Sequence, residues 1–512
     1  MSALLVLPIA LPMLGAGVLL VGPYRVGRHR VGGFAVAAAV LVTAGVLLAA
    51  TSDGSVVALH LGGWPAGFAI SLAADTFAAL MLAVTSVVTL ACAAFAAAAG
   101  DDRQRFFVPL VLLMSAGGYG AFLAADLFNL FVLVEVMLVP SYVLLALGGG
   151  ARLSAARVYV TVNLLASTVF LAGVGLLYGV TGTVNLGALA GAATASPAVA
   201  AAGAVVLVAL AVKAAVVPLH GWLPRTYPHA SPAVTALFSG LLTKVGVYAL
   251  IRIVAVVYEG DAGGPWPWAV AAATTMVVGV LGALGESGMR SVLTFHMVSQ
   301  IGYVLLGPAL FGTAGLGAAI FYLVQYIPVK AALLLCAGAV RSTYGTDRLD
   351  RLGGLARRHR VLAVTFVVAA LSLAGLPPFS GFVAKFVVLR AAAEQGSYLL
   401  LAVAVTVSLF TLLSMMKIWT GAFWGEPVPE DPRAEAAAGP ARRATPAGGE
   451  RAGAAAPART ARMRPALVAP AACLAALTVA LGLGAQPLLA LSGGAADQLG
   501  RPAGYARAVT AP

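Results

Sequence analysis

Long apolar runs separated by short polar loops fill the chain from one end to the other. A run of about 20 apolar residues can cross the hydrocarbon core of a bilayer as a helix. Fourteen stretches reach that length, and the pattern therefore predicts an all-α integral membrane protein with about 14 transmembrane helices. The predicted helices lie near residues 2–22, 32–50, 70–99, 106–125, 127–147, 158–181, 199–219, 231–256, 267–285, 291–312, 315–340, 361–390, 398–424 and 466–492.

Composition supports this class. Hydrophobic residues make up 61% of the 512 residues and charged residues 10%, whereas a soluble domain has about 25% charged residues. The three cysteines, Cys92, Cys336 and Cys473, stand alone in apolar runs. A disulfide framework or a Cys-x-x-Cys metal motif is therefore not predicted, and we expect no cofactor.

The arginines lie mainly on one side of the predicted membrane. Of the 26 arginines, 22 fall in the loops after predicted helices 1, 3, 5, 7, 9, 11 and 13. Positively charged loops remain cytoplasmic, so these loops are predicted to face the cytoplasm and both termini the outside of the cell membrane. The net charge of +13 is spread over short loops and does not form a basic arm, which argues against nucleic-acid binding. Loop 425–465, rich in Ala, Pro, Gly and charge, is predicted to be a disordered cytoplasmic connection.

The lysines follow the opposite pattern. All five lie inside predicted helices, while the arginines supply the loop charge: Lys213, Lys244, Lys330, Lys385 and Lys417. An ammonium group can lose its proton, whereas a guanidinium group stays charged. Ionisable side chains inside a membrane usually mark an ion pathway. The row of lysines predicts a proton path; the alternative is that some of them, such as Lys330 and Lys417, only fix helix packing.

An acid and a histidine extend this row. Glu135 is the only acid deep in a predicted helix, and we predict that it pairs with Lys213 and stores or releases a proton. His296 in predicted helix 10 is a candidate to connect lysines, with a packing hydrogen bond as the alternative. Asp75 lies near a predicted helix start, where it either takes part in the path or caps the helix.

Prolines interrupt two predicted helices. Pro218 follows Lys213 by five residues, and Pro377 and Pro378 lie in predicted helix 12, shortly before Lys385. A proline removes a backbone hydrogen bond, so we expect freed carbonyl groups beside the Lys213 amine. Discontinuous helices at corresponding places predict two inverted five-helix repeats, helices 4–8 and 9–13. The chain then divides into helices 1–3 (1–99), the first repeat (106–257), the second repeat (267–424), the loop 425–465 and the last helix (466–492).

Six stretches between residues 70 and 424 resemble the proton-translocating antiporter-like family shared by respiratory complex I and Mrp-type sodium/proton antiporters. In chain order they are DLFNLFVLVEVML, NLLASTVFLAGVGLLYGVTGTVNL, KAAVVPLHGWLP, SQIGYVLLG, GLPPFSGFVAKF and MMKIWTGAFWG. The first stretch, the last one and the lysine at position 385 look most like the Mrp branch of the family. The chain departs from the family in predicted helix 11, where Gln325 and Tyr326 stand in a segment that commonly holds histidine.

The resemblance implies a non-enzymatic subunit of a membrane hetero-oligomer that exchanges protons for Na⁺ or another monovalent cation together with other antiporter subunits. The alternative is a proton-pumping membrane subunit of complex I or of a related hydrogenase, and a passive scaffold subunit is a third possibility. The predicted proton path consists of Glu135, Lys213, Lys244, His296, Lys330 and Lys385, and the supporting residues are Asp75, Pro218, His220, Pro377, Pro378 and Lys417.

Overall fold

The computed structural model describes residues 1–65, 69–147, 149–425 and 463–511, and these residues are mainly helical. In chain order the helices of eight or more residues are α1 (Ser2–Val21), α2 (Val26–Thr51), α3 (Thr76–Ala99), α4 (Phe107–Leu123), α5 (Leu127–Ala146), α6 (Ala151–Thr181), α7 (Pro197–Ala214), α8 (Pro232–Val256), α9 (Pro265–Gly285), α10 (Met289–Ala309), α11 (Thr313–Tyr344), α12 (Arg360–Ala374), α13 (Ser380–Glu394), α14 (Tyr398–Ile418), α15 (Pro465–Leu483), α16 (Ala485–Gly500) and α17 (Ala503–Thr510).

Twelve helices in these ranges are long and apolar enough to cross a membrane. Helices α4 and α12 are apolar but shorter, and α12 and α13 together occupy the place of the single helix predicted at 361–390. The prediction of a helical, multi-pass membrane protein is confirmed. The count of fourteen spans and the two inverted repeats stay predictions. The predicted disordered loop falls, apart from its ends, on residues 426–462, outside the described ranges.

Two short strands, β1 (Val57–His60) and β2 (Ser71–Ala74), pair antiparallel before α3. The helix predicted at 70–99 therefore begins too early, since its first residues form β2. Asp75 ends the strand and accepts a hydrogen bond from the Ala78 N–H at 2.9 Å, which starts α3 by capping its first turn. The helix predicted at 466–492 is likewise wrong in extent, because it divides near Gly484 into α15 and α16. Continuous apolar character does not reveal where a helix ends.

Helices α8 and α11 lie at the centre of the fold and are buried on all sides, and α10 is nearly so. The outer helices α1, α9 and α14 expose most of their apolar surface, as expected for helices that meet lipid. Lys244 on α8, His296 on α10 and Lys330 on α11 are therefore enclosed by protein. An ionisable residue on a fully enclosed helix is costly, and its position points to function.

Both predicted helix interruptions are present, and they share one local geometry. Helix α7 ends before Ala215 and α12 before Gly375, and both of these residues are in the left-handed region, with φ of 58° and 87°. In each case the N–H of this residue bonds back to the last turn of its helix, and a proline, Pro218 or Pro378, follows three residues later. The chain becomes helical again at Trp222–Thr226 after the first break and at α13 after the second.

Candidate functional site

Glu135 on α5 and Lys213 on α7 lie close together, with α6 supplying a hydroxyl group between them. The Lys213 Nζ is 3.6 Å from Oε1 of Glu135. The same Nζ donates to Oγ of Ser167 at 2.8 Å, and that hydroxyl donates to Oε1 of Glu135. The Lys213 side chain is 5% exposed and that of Glu135 23%. The predicted pair is thus formed in the structure, but Ser167 was missed, because a serine in an apolar helix gives no distinctive signal.

Close helix packing fixes the position of Lys213. A Cβ atom at Gly246 of α8 would lie 2.9 Å from the backbone nitrogen of Ala214, and one at Gly173 of α6 would lie 2.9 Å from that of Val206. Both distances are too short for a larger residue, so these glycines let α8 and α6 approach the backbone of α7 directly. Small residues at helix contacts serve this purpose in membrane proteins.

In the described structure the Lys213 amine donates its hydrogen bond to Ser167 and not to a freed carbonyl of α7. The carbonyl of Val212 accepts a hydrogen bond from the indole Nε1 of Trp222 at 2.9 Å. The carbonyl of Ala211 accepts from the Val216 N–H at 3.0 Å. The left-handed turn folds the chain back over the helix end, and it is this returning segment that satisfies the carbonyls.

A freed carbonyl does contact a lysine at the second break. The Lys385 Nζ on α13 donates to the carbonyl of Ala374, the last residue of α12, at 2.9 Å and to Oγ of Ser408 on α14 at 2.8 Å. It also lies 5.2 Å from the centre of the Tyr303 ring, a cation–π distance. Lys385 therefore joins three helices at the point where one is broken.

Lys244 and Lys330 lie at the centre of the bundle. The Lys244 Nζ donates to Oγ1 of Thr243 at 3.2 Å and lies 4.5 Å from the centre of the Tyr326 ring on α11. The Lys330 amine is completely buried and has no hydrogen-bond partner among the described residues. Tyr326 lies four residues before Lys330 on α11, so the two lysines approach the same side of that helix. Tyr326, where the family commonly has histidine, thus supplies an aromatic face to Lys244.

His296 lies on α10, the helix that also carries Tyr303 beside Lys385. Its Nε2 is 2.5 Å from Oγ of Ser414 on α14, and its Nδ1 has no hydrogen-bond partner in the part of the chain that the structure describes. The structure thus brings Glu135 and Lys213 together, and it places Lys244 against Tyr326, one helical turn before Lys330. The order of the six predicted residues along a path stays a prediction.

Asp75 lies outside this row. Besides capping α3, its carboxylate forms a two-pronged ion pair with Arg252 near the end of α8, and both residues are buried. Arg252 is one of the arginines outside the predicted loops, and it is 4% exposed inside a membrane helix. The sequence did carry a signal, since position 252 falls within the helix predicted at 231–256. Because Asp75 pairs with Arg252 through two hydrogen bonds and also caps α3, its contacts indicate a structural role.

The remaining supporting residues also lie apart from the row. Lys417 on α14 donates to the backbone carbonyls of Leu284 and Glu286, at 2.6 Å and 2.7 Å, and so caps the end of α9. This geometry corresponds to the packing alternative. His220 lies between α7 and the short helix that follows and is only partly buried. Pro218, Pro377 and Pro378 lie in the two breaks.

Comparison with known proteins identifies the family to which the chain is similar. Residues 124–411 match the family model described as NADH:quinone oxidoreductase/Mrp antiporter, TM. The chain is 37% identical over 517 residues to the D subunit of the Na⁺/H⁺ antiporter of Alkalihalophilus pseudofirmus, and the alignment covers 99% of both chains.

Solved structures show the same similarity. A chain in the structure of the Mrp complex from Dietzia sp. DQ12-45-1b is 51% identical, with a TM-score of 0.93 and 99% of both chains covered. A chain of respiratory complex I from Thermus thermophilus is 25% identical with a TM-score of 0.71, covering 96% of this chain and 98% of that one. The similarity extends over essentially the whole length of each chain.

Proposed function

We propose that this chain, which belongs to the NADH:quinone oxidoreductase/Mrp antiporter family and within it to the D subunits of Na⁺/H⁺ antiporters, provides the proton path of a multisubunit antiporter. Its partners are the other subunits of a membrane hetero-oligomer. This assignment is supported by the A. pseudofirmus relative, which is named as an antiporter subunit, and by the Dietzia chain, which is part of an Mrp complex. The exchanged ion is Na⁺ or another monovalent cation.

The path runs from Glu135 at the side of the bundle, through Lys213, Lys244, Lys330 and His296, to Lys385. A permanent charge in the interior of a membrane protein is energetically costly. Proton transfer between neighbouring groups carries charge through the interior without leaving a permanent charge on any one of them. Lysine, histidine and glutamate all bind and release protons. Their succession across the centre of the bundle is what such a transfer requires.

The single observation that carries the proposal is the environment of Lys330. A lysine kept for packing is expected to have acceptors, as Lys417 has in two backbone carbonyls. Buried polar groups are nearly always hydrogen-bonded, and exceptions call for an explanation. The Lys330 amine has no fixed acceptor in the described structure and lies one helical turn from Tyr326, whose ring faces the Lys244 amine. An amine held in this way is free to accept a proton from one neighbour and to pass it to the other.

The experiment compares Lys330→Arg with the matched control Lys417→Arg, in the complete antiporter and in everted membrane vesicles. Arginine retains the charge but does not release a proton. We expect Lys330→Arg to abolish cation-driven proton movement, measured with a pH-sensitive dye, and Lys417→Arg to retain most of it. Immunoblots of the same membranes report assembly. Full antiport in Lys330→Arg would refute a path through this residue, and Lys330→Gln tests the same step if the larger side chain prevents assembly.

The second candidate is a proton-pumping membrane subunit of complex I or a related hydrogenase. It is favoured by the similarity to the T. thermophilus chain. Affinity purification of the assembled complex distinguishes the two functions. Small membrane subunits without redox centres support the antiporter, whereas co-purified iron–sulfur subunits support the alternative.

A further inference from the structure

We propose that the hydroxyl group of Ser167 is itself a proton carrier between Lys213 and Glu135. This inference rests on the proposed function and adds a residue to its path. It concerns the first step, where the two charged groups do not form a hydrogen bond with each other. Their closest atoms are 3.6 Å apart, beyond the range of about 2.7–3.2 Å for such bonds.

Ser167 forms hydrogen bonds with both Lys213 and Glu135. It accepts a hydrogen bond from the Lys213 amine at 2.8 Å and donates its own hydrogen to Oε1 of Glu135. Only 5% of Ser167 is exposed, so bulk water does not compete at this position. The hydroxyl is therefore oriented for transfer, with one proton arriving and another leaving along existing hydrogen bonds.

The hydroxyl of Ser167 donates its hydrogen bond to Glu135 and not to a carbonyl of its own helix. Serine and threonine within a helix commonly bond to the carbonyl four residues earlier. The next residue, Thr168, does so, donating to the carbonyl of Leu164 at 3.0 Å. Ser167 instead points away from its own helix towards the carboxylate. Two adjacent hydroxyls on α6 thus differ in role, and Thr168 provides an internal control.

The transfer is balanced in atoms and electrons. An N–H bond of the Lys213 ammonium breaks as its proton binds Oγ of Ser167, and the former hydroxyl proton of Ser167 binds Oε1 of Glu135. The serine is again a neutral hydroxyl, the lysine a neutral amine and the glutamate a neutral acid. An ion pair and a neutral pair are close in free energy when both partners are poorly solvated, because desolvation offsets much of the charge attraction. The reverse sequence returns the proton.

A cavity beside Lys213 determines which substitution is informative. It offers about 10 Å³ to the centre of a water molecule and is lined in part by Lys213, Asn163 and Tyr159. This is room for about one water molecule. Removing the hydroxyl by Ser167→Ala would leave further space beside Lys213, close to this cavity, and a water molecule there could take over the transfer. A substitution that removes the hydroxyl but fills its space avoids this ambiguity.

The test compares Ser167→Thr with Ser167→Val, which have nearly the same shape and differ in the hydroxyl. Both are introduced into the complete antiporter, with Thr168→Val as the matched control and Glu135→Gln as the reference for the path. We expect Ser167→Thr and Thr168→Val to transport within about twofold of the wild type, since each keeps the transferring group. Ser167→Val should lose about 100-fold in rate, the low end for a positioned proton-transfer group.

The outcomes separate this inference from the proposed function. Normal transport by an assembled Ser167→Val complex, with Glu135→Gln inactive in the same assay, overturns the role of Ser167 and leaves the path intact. Normal transport by both Ser167→Val and Glu135→Gln overturns the proposed path as well. Equal losses in Ser167→Thr and Ser167→Val assign the effect to side-chain size and also overturn the hydroxyl's role. If the branched side chains reduce assembly, Ser167→Cys fills nearly the same space as serine with a thiol that is a weak donor and acceptor. It should transport much less than the wild type, and normal transport by it would overturn the role of the hydroxyl.

Discussion

Lys385 on α13 donates a hydrogen bond to the carbonyl of Ala374, the residue that ends the preceding helix α12, at 2.9 Å. The Ser408 hydroxyl on α14 donates to the same carbonyl, also at 2.9 Å, and accepts from Lys385 at 2.8 Å. The three groups form a closed triangle across the helix break. The carbonyl thus has two donors, and the amine has two acceptors that belong to different helices.

Because the Ala374 carbonyl has two donors, Lys385→Met tests the function of the lysine separately from assembly. The Ala374 carbonyl keeps Ser408 as a donor, so no backbone group is left unsatisfied. We expect the complex to assemble at close to the normal level while antiport is lost. Immunoblots and dye-monitored transport on the same vesicles measure the two effects. A loss of assembled complex would show instead that the lysine holds the break together.

The Glu135 and Lys213 pair leads to a prediction about assembly. Removing one partner of a buried ion pair leaves the other uncompensated, which costs about 3–5 kcal/mol when nothing relaxes. The double variant Glu135→Gln with Lys213→Met leaves no charge at this site, so it should assemble at least as well as either single variant. All three should be inactive. A lower abundance of the double variant than of the single variants would contradict the coupling between Glu135 and Lys213. Glu135→Asp retains the charge on a shorter side chain and should keep partial transport.

The orientation of the chain in the membrane follows from the arginine distribution. Reporter fusions in segments 148–157, 341–360 and 425–465 should all report the cytoplasm, and a fusion in segment 182–198 should report the outside. An enzyme reporter that is active on only one side of the membrane makes the measurement. Opposite sides for any two of the first three fusions would overturn the count of fourteen spans.

Asp347, in the loop after α11, provides a pH-dependent prediction. Its carboxylate lies 3.0 Å from Nε of Arg290 and 3.0 Å from Nη1 of Arg341. Burial acts to raise the pKa of Asp347, but the charge and hydrogen bonds of Arg290 and Arg341 outweigh it and hold the pKa below its ordinary value. A pKa lowered by folding means that the stabilisation is complete above the unfolded value of about 3.9 and is lost as the pH falls through the lower folded value.

Asp347→Asn should therefore lower the thermal unfolding temperature of the purified complex near neutral pH. The difference from the wild type should shrink as the pH is lowered, because the wild-type carboxylate becomes protonated and loses its attraction to the arginines. Thermal unfolding in detergent over an acidic pH series measures this trend. A difference that is independent of pH, or that grows towards acid, would contradict the ionic role of Asp347.

Much of the candidate site was visible in the sequence because the bilayer makes its residues conspicuous. Lysine and glutamate within apolar runs are rare and expensive, so Glu135, Lys244 and Lys330 stand out without any knowledge of the fold. Helix breaks are also local events, determined by prolines and by left-handed residues, and both were found at the predicted places. The β1–β2 hairpin was missed because each strand has only four residues and the buried strand β2 has the same apolar character as a helix end.

The sequence by itself determined the membrane class, the approximate helices, the two breaks and the residues that carry charge into the interior. These follow from length, composition and local backbone chemistry. Only the tertiary structure decided which groups meet: Ser167 and not Thr168 contacts Glu135, Lys417 caps a helix, and Arg252 pairs with Asp75. The physical reason is that hydrogen bonds depend on distances of a few tenths of an ångström between helices that are far apart in the chain. Helix packing determines those distances, and the spacing of residues along one segment does not encode them.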